Sequence, residues 1–553
     1  VSINRLFKMF KKSRKDLQLD AFSNTSNHLN STVAKEYLDP KSWHNQFREQ
    51  IVMRIDESVF SVLFHDATGA PNSSIRVLMG MMIAKEAFGW SDSELFSNCK
   101  FNLVLRCALG LFNISDPVPA ESTYYLFRKR VYEYQKQTGR DLTEEVFRQI
   151  TSEQIKDFQV NGRAIRMDSK LISSNIAFYS RYEIVHHTLL AFLNTLNLDV
   201  LPALTSEDRQ RLKELREEKS SLTVYRSTKE EIYTKLQVVG MEIYRLLGLF
   251  SDNQTESFLL LKRVFNEQFK VTQEQKVELR PKEEITSSSV QSPHDPDSAY
   301  RNKGDQKVKG YNVNITETCS DDGLNLITNA QVDKANVADS TFVQSAIQAT
   351  QELTNTRPEK VYADGAYQSP LNADFCEGID MVYSGIQGSN PRFDLNLTSE
   401  GLIVIDKQTN QQYLAKKVKS QNKTNEERYS VKINDEYFYF AQTAIRSAII
   451  RAQILNRPKE ERRKRNNVEA TIFQLSIPLV NRKSKYRGLF KQEMWVSCRC
   501  LWINLVRIMN FRAKNPGFLL NFLFFLNLNR LLYALGLEVS FWKYVLHPKY
   551  SFE

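Results

Sequence analysis

Three acidic residues, Asp168, Asp364 and Glu469, stand in settings that would let them act together on a divalent metal. Asp168 sits in Arg166-Met167-Asp168-Ser169 after an apolar stretch, and Asp364 sits in Tyr362-Ala363-Asp364-Gly365 after another. Glu469 closes Arg465-Asn466-Asn467-Val468-Glu469, which opens an amphipathic helix. An acid that ends a run of strand-forming residues lies at the carboxyl edge of a sheet. A third acid on a helix beside that edge completes a pocket of three carboxylates. Hard cations such as Mg2+ take oxygen ligands and keep several waters, so three carboxylates around two ions leave room for a phosphate and an attacking hydroxyl. That equipment suits phosphodiester chemistry.

The elements that must position these acids are legible as an α/β pattern. Gly162 to Met167 reads as a central strand leading into Asp168, and Val361-Tyr362-Ala363 as a strand leading into Asp364. Between them the pattern predicts a helical insertion from about 183 to 292, in which Leu212, Leu215, Leu236, Ile243, Leu246 and Leu247 recur among charged residues and Thr205 offers a cap. Ile285 to Pro293 reads as a loop. Tyr311 to Thr318 and Leu324 to Ala330 are strand-like runs around Ser320-Asp321-Asp322-Gly323, a hairpin signal, and a helix is expected near Asp339 to Leu353. Short alternating runs from about 380 to 440 predict a second, β-rich insertion, followed by helix from Ala441 to Leu455 and again around Glu469. On that last helix Val468, Ile472 and Leu475 form an apolar stripe with Glu469 at its margin, a position that is ordinarily solvated.

Ahead of the first acid the chain reads as helical from Ser74 to about Phe158. Ile75 to Phe88 is a buried helix stopped by Gly89, and Ser91 to Glu94 is a capping box for the next. Glu121 to Val131 places Tyr124, Tyr125, Arg128, Lys129 and Arg130 on about two turns. This is either a DNA-reading helix or the solvated basic face of a bundle helix.

The chain has 553 residues, too many for one ordinary core, so two or three domains or one domain with large insertions are expected. Its 75 Lys and Arg against 64 Asp and Glu give a net charge of +11, which favours a polyanionic partner, nucleic acid first. Between Arg457 and Arg487 the bias sharpens: Arg457, Lys459, Arg462, Arg463, Lys464, Arg465, Arg482, Lys483, Lys485 and Arg487 face only Glu460, Glu461 and Glu469. Such a cluster holds phosphates by charge, or else is an exposed charged loop. The six cysteines, with only Cys498 and Cys500 close, match neither a zinc site nor a redox pair and read as reduced thiols of a cytosolic protein. His186, His187 and His294 lack metal-ligand spacing. Val1 to Lys15 is basic but has no secretory pattern, so no export is expected. Gly517 to Leu537 approaches the length of a membrane span, yet Asn521, Asn527, Asn529 and Arg530 favour a buried helix pair, and no membrane is expected.

With these segments in order, the chain resembles bacterial insertion-sequence transposases of the DDE type, whose catalytic domain has the ribonuclease H-like fold of the retroviral integrase superfamily. The residues that carry the resemblance are Met167-Asp168-Ser169-Lys170, Ser292 to Asp297, Lys309-Gly310-Tyr311-Asn312, Ala363 to Tyr367, Arg465 with Glu469, and Tyr486-Arg487-Gly488-Leu489. Pro71 to about Val131 is similar to the amino-terminal domain of these proteins. The resemblance implies an N-terminal arm (1–70), a helical DNA-binding domain (71–158), a ribonuclease H-like mixed sheet flanked by helices (159–510) and a C-terminal helical segment (511–553). It implies that Asp168, Asp364 and Glu469 bind two Mg2+ ions, with Mn2+ able to substitute, and that Arg465 contacts DNA phosphate.

The implied partners are the terminal inverted repeats of an element and target DNA, engaged by at least a dimer in the bacterial cytoplasm. Arg462, Arg463, Lys464, Lys483, Lys485, Arg487, Arg128, Lys129 and Arg130 are the further candidate DNA contacts. The implied activity is metal-dependent cleavage at the element ends followed by strand transfer of the 3′-hydroxyl. The alternatives are a relative that binds DNA ends without cutting, or a nuclease without strand transfer. Many relatives carry a Tyr three residues before the Arg and a Lys seven after the Glu; here those positions are Arg462 and Ser476, so Lys483 or Lys485 is expected to supply a phosphate contact. Asp295 and Asp297 either assist the metal or a DNA contact, or shape the turn before the Tyr311 strand.

Overall fold

The computed structural model describes residues 10–13, 24–64, 71–199, 201, 204–321, 323–385, 391–419 and 427–515. The Phe- and Leu-rich segment 517–537 lies outside the described residues, as do 1–9, 14–23 and 65–70 of the amino-terminal arm. Among the described residues no helix is long and apolar enough to cross a membrane.

The amino-terminal helices form as their end signals dictate. Helix α1 (Ile75–Phe88) is capped by the Ser74 side chain, which accepts from the Val77 amide, and stops at Gly89, whose φ of 69° suits a residue without Cβ. The Ser91–Glu94 capping box is present. Helix α2 (Glu121–Thr138) begins after Ala120 and has no side-chain cap. It buries Tyr124, Phe127 and Val131, and helix α3 (Leu142–Asp157) follows.

A six-stranded mixed sheet is the centre of the molecule. Its middle strand, β1 (Ala164–Ser173), runs antiparallel to the long strand β3 (Gln306–Thr318). The far edge of β3 pairs with β2 (Ala299–Lys303) along its first half and with β4 (Ile327–Lys334) along its second. On the other side of β1 lie β5 (Lys360–Ala363) and β6 (Asp380–Tyr383), both parallel to their neighbours.

Successive side chains of β1 point to opposite faces. Ile165 and Met167 pack with Val343, Ala346 and Ile347 of helix α4 (Val343–Thr354) on one face. Ile172 shares the other face with Val313, Ile315 and Ile327, and this face is covered by the amino-terminal helices, by helix α5 (Asn466–Ser476) and by helix α6 (Leu489–Lys514). The amino-terminal helices and the sheet therefore share one hydrophobic core. Helix α6 runs without a break across position 510, the boundary expected between the catalytic domain and the carboxyl-terminal segment.

Both insertions are present. The first contains helices Arg181–Leu193, Ser206–Glu217, Lys229–Leu249 and Glu256–Gln268 around their own core, with Thr205 and Asp208 forming a capping box. It also holds a two-stranded ribbon, Phe269–Val271 with Val277–Leu279, which the helical periodicity did not announce. The second is a five-stranded antiparallel sheet between Phe393 and Ala441, with its own apolar centre.

One strand boundary differs from the sequence expectation. Asp168 lies in the middle of β1, because β3 pairs with β1 as far as Ser173↔Gly310. The sheet edge at Asp168 is made by its other neighbour. The parallel register pairs Ile165 with Val361 and Arg166 with Tyr362, and β5 ends at Ala363. Extending that register sets Asp168 level with Asp364, the first residue past the end of β5.

Candidate active site at the end of strand β5

Each acid is held by a different local device. Asp168 projects from the helix-covered face of β1, with its side chain 15% exposed, and its Oδ1 accepts from the Ser169 amide at 2.9 Å. Asp364 caps the short turn Gly365–Tyr367, its Oδ1 accepting from the Ala366 amide at 2.8 Å. Glu469 stands in the first turn of α5 and is half exposed. Val468, Ile472 and Leu475 are buried beside it, as the apolar stripe required.

Arg465 joins two of the three. Its guanidinium lies 3.3 Å from Asp168 Oδ2 through Nη1 and donates to Glu469 Oε1 through Nη2. The Asp168 carboxyl is raised from 3.8 to about 6. Burial is the main cause; Arg465 and the Ser169 amide oppose it, and the negative charges of Asp364 and Glu469 add to it. Asp168 is thus the acid that feels the charge of the other two. Tyr367, fully buried, lies beneath the site and donates its hydroxyl to Asn314 at 2.7 Å.

Three carboxylates are the donor type that Mg2+ takes. Among the described residues no group of three or more His, Cys, Asp or Glu is arranged to hold a metal. The Arg465 guanidinium supplies positive charge to both Asp168 and Glu469.

Sequence reasoning missed what fixes α5 against the sheet. Glu317 of β3 is fully buried and accepts from Arg166 Nε at 2.5 Å, from the Thr471 hydroxyl at 2.6 Å and from Arg507 Nη2 at 2.6 Å. Arg166 belongs to β1, Thr471 to α5 and Arg507 to α6, so one carboxylate ties four elements together. Two of its ligands stand two residues from Asp168 and Glu469 respectively. The signal available was the period of two, which puts Arg166 on the same face as Asp168.

The predicted cationic residues fall into two sets. Arg463 is exposed, Lys464 pairs with Asp321 at 2.6 Å, and Arg462 is half-buried. Lys483 donates to the Ile176 carbonyl at 3.1 Å, Lys485 to the Gly89 carbonyl, and Arg487 to the Asn175 carbonyl at 2.7 Å. These contacts arise because Arg482 to Ser484 docks on the end of β1: Ser173 donates to the Arg482 carbonyl and accepts from the Ser484 amide. On α2, Arg128 is largely covered, lying over the Tyr124 ring at 5.5 Å and 3.9 Å from Asp92. Lys129 is exposed and pairs with Glu133, and Arg130 lies over the Phe64 ring.

The Asp-Pro-Asp segment shapes chain geometry. Asp295 is fully buried and accepts from Ser174, from the Tyr311 hydroxyl at 2.5 Å and from the Gly488 amide at 3.1 Å. Asp297 accepts from the Leu489 amide at 3.3 Å, at the start of α6. His186 is buried with Nε2 2.9 Å from the Leu215 carbonyl, and His187 stacks on Tyr179. All six cysteines are buried free thiols.

Comparison with known families finds two matches in chain order. Residues 36–130 match a transposase domain (DUF772), and residues 285–488 match a transposase DDE domain. The second span contains Asp364, Arg465 and Glu469, while β1 with Asp168 precedes it. No curated protein and no solved structure matches the chain.

Proposed function

The chain belongs to the DDE-type transposases of insertion sequences, and from that premise we propose that Asp168, Asp364 and Glu469 form the centre that cuts element ends and joins them to target DNA. The observation that carries this reading is the convergence of the three acids: Asp364, just past the end of β5, falls level with Asp168 when the register is extended, and Arg465 links Asp168 to Glu469. The order of the sheet supports a ribonuclease H-like fold, with an antiparallel hairpin on one side of β1 and parallel strands on the other. Helix α5 brings the third acid to the same face.

Two bound Mg2+ ions, or Mn2+ in their place, would supply Lewis-acid activation of the attacking oxygen and stabilise the leaving oxygen. Asp168, Asp364 and Glu469 would hold them, and Arg465 would turn from the carboxylates to a DNA phosphate. Arg462, Arg463, Lys464, Lys483, Lys485 and Arg487 would be the contacts for the duplex backbone. The chemistry needs two in-line attacks on phosphorus, by water at the element end and by the freed 3′-hydroxyl on the target. Two ends are brought together by at least a dimer of the chain.

The test uses the full chain with a labelled DNA carrying the inverted repeats that flank its coding region. Asp168→Asn and Asp364→Asn are expected to bind this DNA as the parent does and to lose nicking and end joining in Mg2+. Nicking at the parental rate by either variant rejects the assignment. Nicking by the parent without any joined product reduces the proposal to a nuclease.

A further inference from the structure

We propose that the groove between α2 and the turn leading into α6 binds unpaired nucleotides of a DNA strand. The inference rests on the reading of the chain as a DNA-processing protein, and it concerns a surface separate from the three acids. The groove encloses about 430 Å3, a volume that suits a single small ligand unit.

One wall is α2, where Tyr125 and Tyr132, two turns apart, are 43% and 40% exposed, with Lys129 between them. The other wall is Arg487, Phe490 and Lys491. Phe490 lies against Tyr132 with ring centroids 5.1 Å apart, so the two walls meet in an aromatic floor.

The charge of the groove is positive. Among the described residues the acid beside Lys129 is the exposed Glu133 at 3.6 Å, a pair worth little in water. Among the described residues no acid pairs with Arg487 or Lys491. Asp297 is the one acid among the lining residues, against Arg128, Lys129, Arg487 and Lys491, and it accepts from the Leu489 amide; Asp92, beside Arg128, lies 2.5 Å from Lys85. Cations that track a backbone beside exposed aromatic rings are the pattern for single-stranded nucleic acid, because a ring gains by stacking only on a base whose face is free. A stacked duplex hides those faces.

Position makes the groove useful to the site. Arg487 is anchored on Asn175, just past the end of β1, and the five steps along the strand from Asp168 to Ser173 span about 17 Å. A strand end released near the acids reaches the groove within a few nucleotides.

The experiment measures fluorescence anisotropy of the full chain in EDTA with a blunt duplex of element-end sequence and with the same duplex bearing a six-nucleotide unpaired tail. The parent is expected to bind the tailed DNA about ten-fold tighter. Tyr125→Ala with Tyr132→Ala is expected to abolish that preference while leaving blunt-duplex binding unchanged. Lys491→Gln is expected to reduce the preference and its salt dependence. Equal binding of blunt and tailed DNA by the parent overturns the proposal, as does a parallel loss of both in the double variant. Tighter binding of an RNA tail than of a DNA tail overturns it too. Because no metal is present, the outcome is independent of whether the three acids cut DNA.

Discussion

Arg465 Nη1 stands 3.3 Å from Asp168 Oδ2, across the gap between helix α5 and strand β1. The same guanidinium donates to Glu469 one turn along its own helix. The positive charge beside these two carboxylates is therefore supplied by the protein's own side chain, and each consequence can be measured.

Asp168 should make the metal-free protein less stable as pH rises. Its folded-state carboxyl is raised from 3.8 to about 6, so ionising it costs folding free energy. The neutral form favours the fold below about pH 4, and that advantage is lost as pH climbs through about 6. Asp168→Asn in EDTA is expected to gain up to about 3 kcal/mol over the parent at pH 7.5 and little at pH 4, by urea denaturation. An equal difference at both pH values would contradict the burial of this charge.

Thr471→Val tests the buried carboxylate that fixes α5. The change keeps shape but removes the hydroxyl that Glu317 accepts from. A loss of about 1–2 kcal/mol in stability is expected. Since Thr471 is two residues from Glu469, the Mg2+ concentration for half-maximal cleavage should also rise several-fold. A lowered melting temperature with an unchanged Mg2+ requirement would make the network purely structural.

Asp295→Asn should destabilise the protein and leave the Mg2+ requirement alone. The carboxylate is fully buried on Ser174, Tyr311 and the Gly488 amide, and it stands apart from the three acids in its contacts. Losing a charged acceptor at a buried site should cost roughly 2–3 kcal/mol, read as a lower melting temperature. A shifted metal dependence would return Asp295 to the metal site.

Gly310→Ala should be among the most damaging small substitutions. A Cβ at Gly310 would lie 2.1 Å from the Ile172 carbonyl oxygen and 2.7 Å from the Ser174 amide, both backbone atoms of the strand that carries Asp168. The strands must separate to admit it. Loss of soluble folded protein, or at least about 3 kcal/mol of stability, is expected from thermal unfolding. Parental stability would mean that β3 and β1 do not approach this closely.

Taken alone, the sequence determined which residues could do chemistry and which elements would carry them. Apolar runs ending at Asp168 and Asp364, the stripe beside Glu469, the capping boxes and both insertions were legible because they follow from local periodicity and end signals. Tertiary structure alone decided that Asp168 lies mid-strand, since the length of β1 is set by pairing with β3 and the edge by the early end of β5. It alone decided that Arg465 bridges two acids, that Asp295 is a staple, and that Glu317 is the hub behind the site. The physical reason is that a buried charge declares itself only through its partners, and those of Glu317 come from strands and helices far apart in the chain.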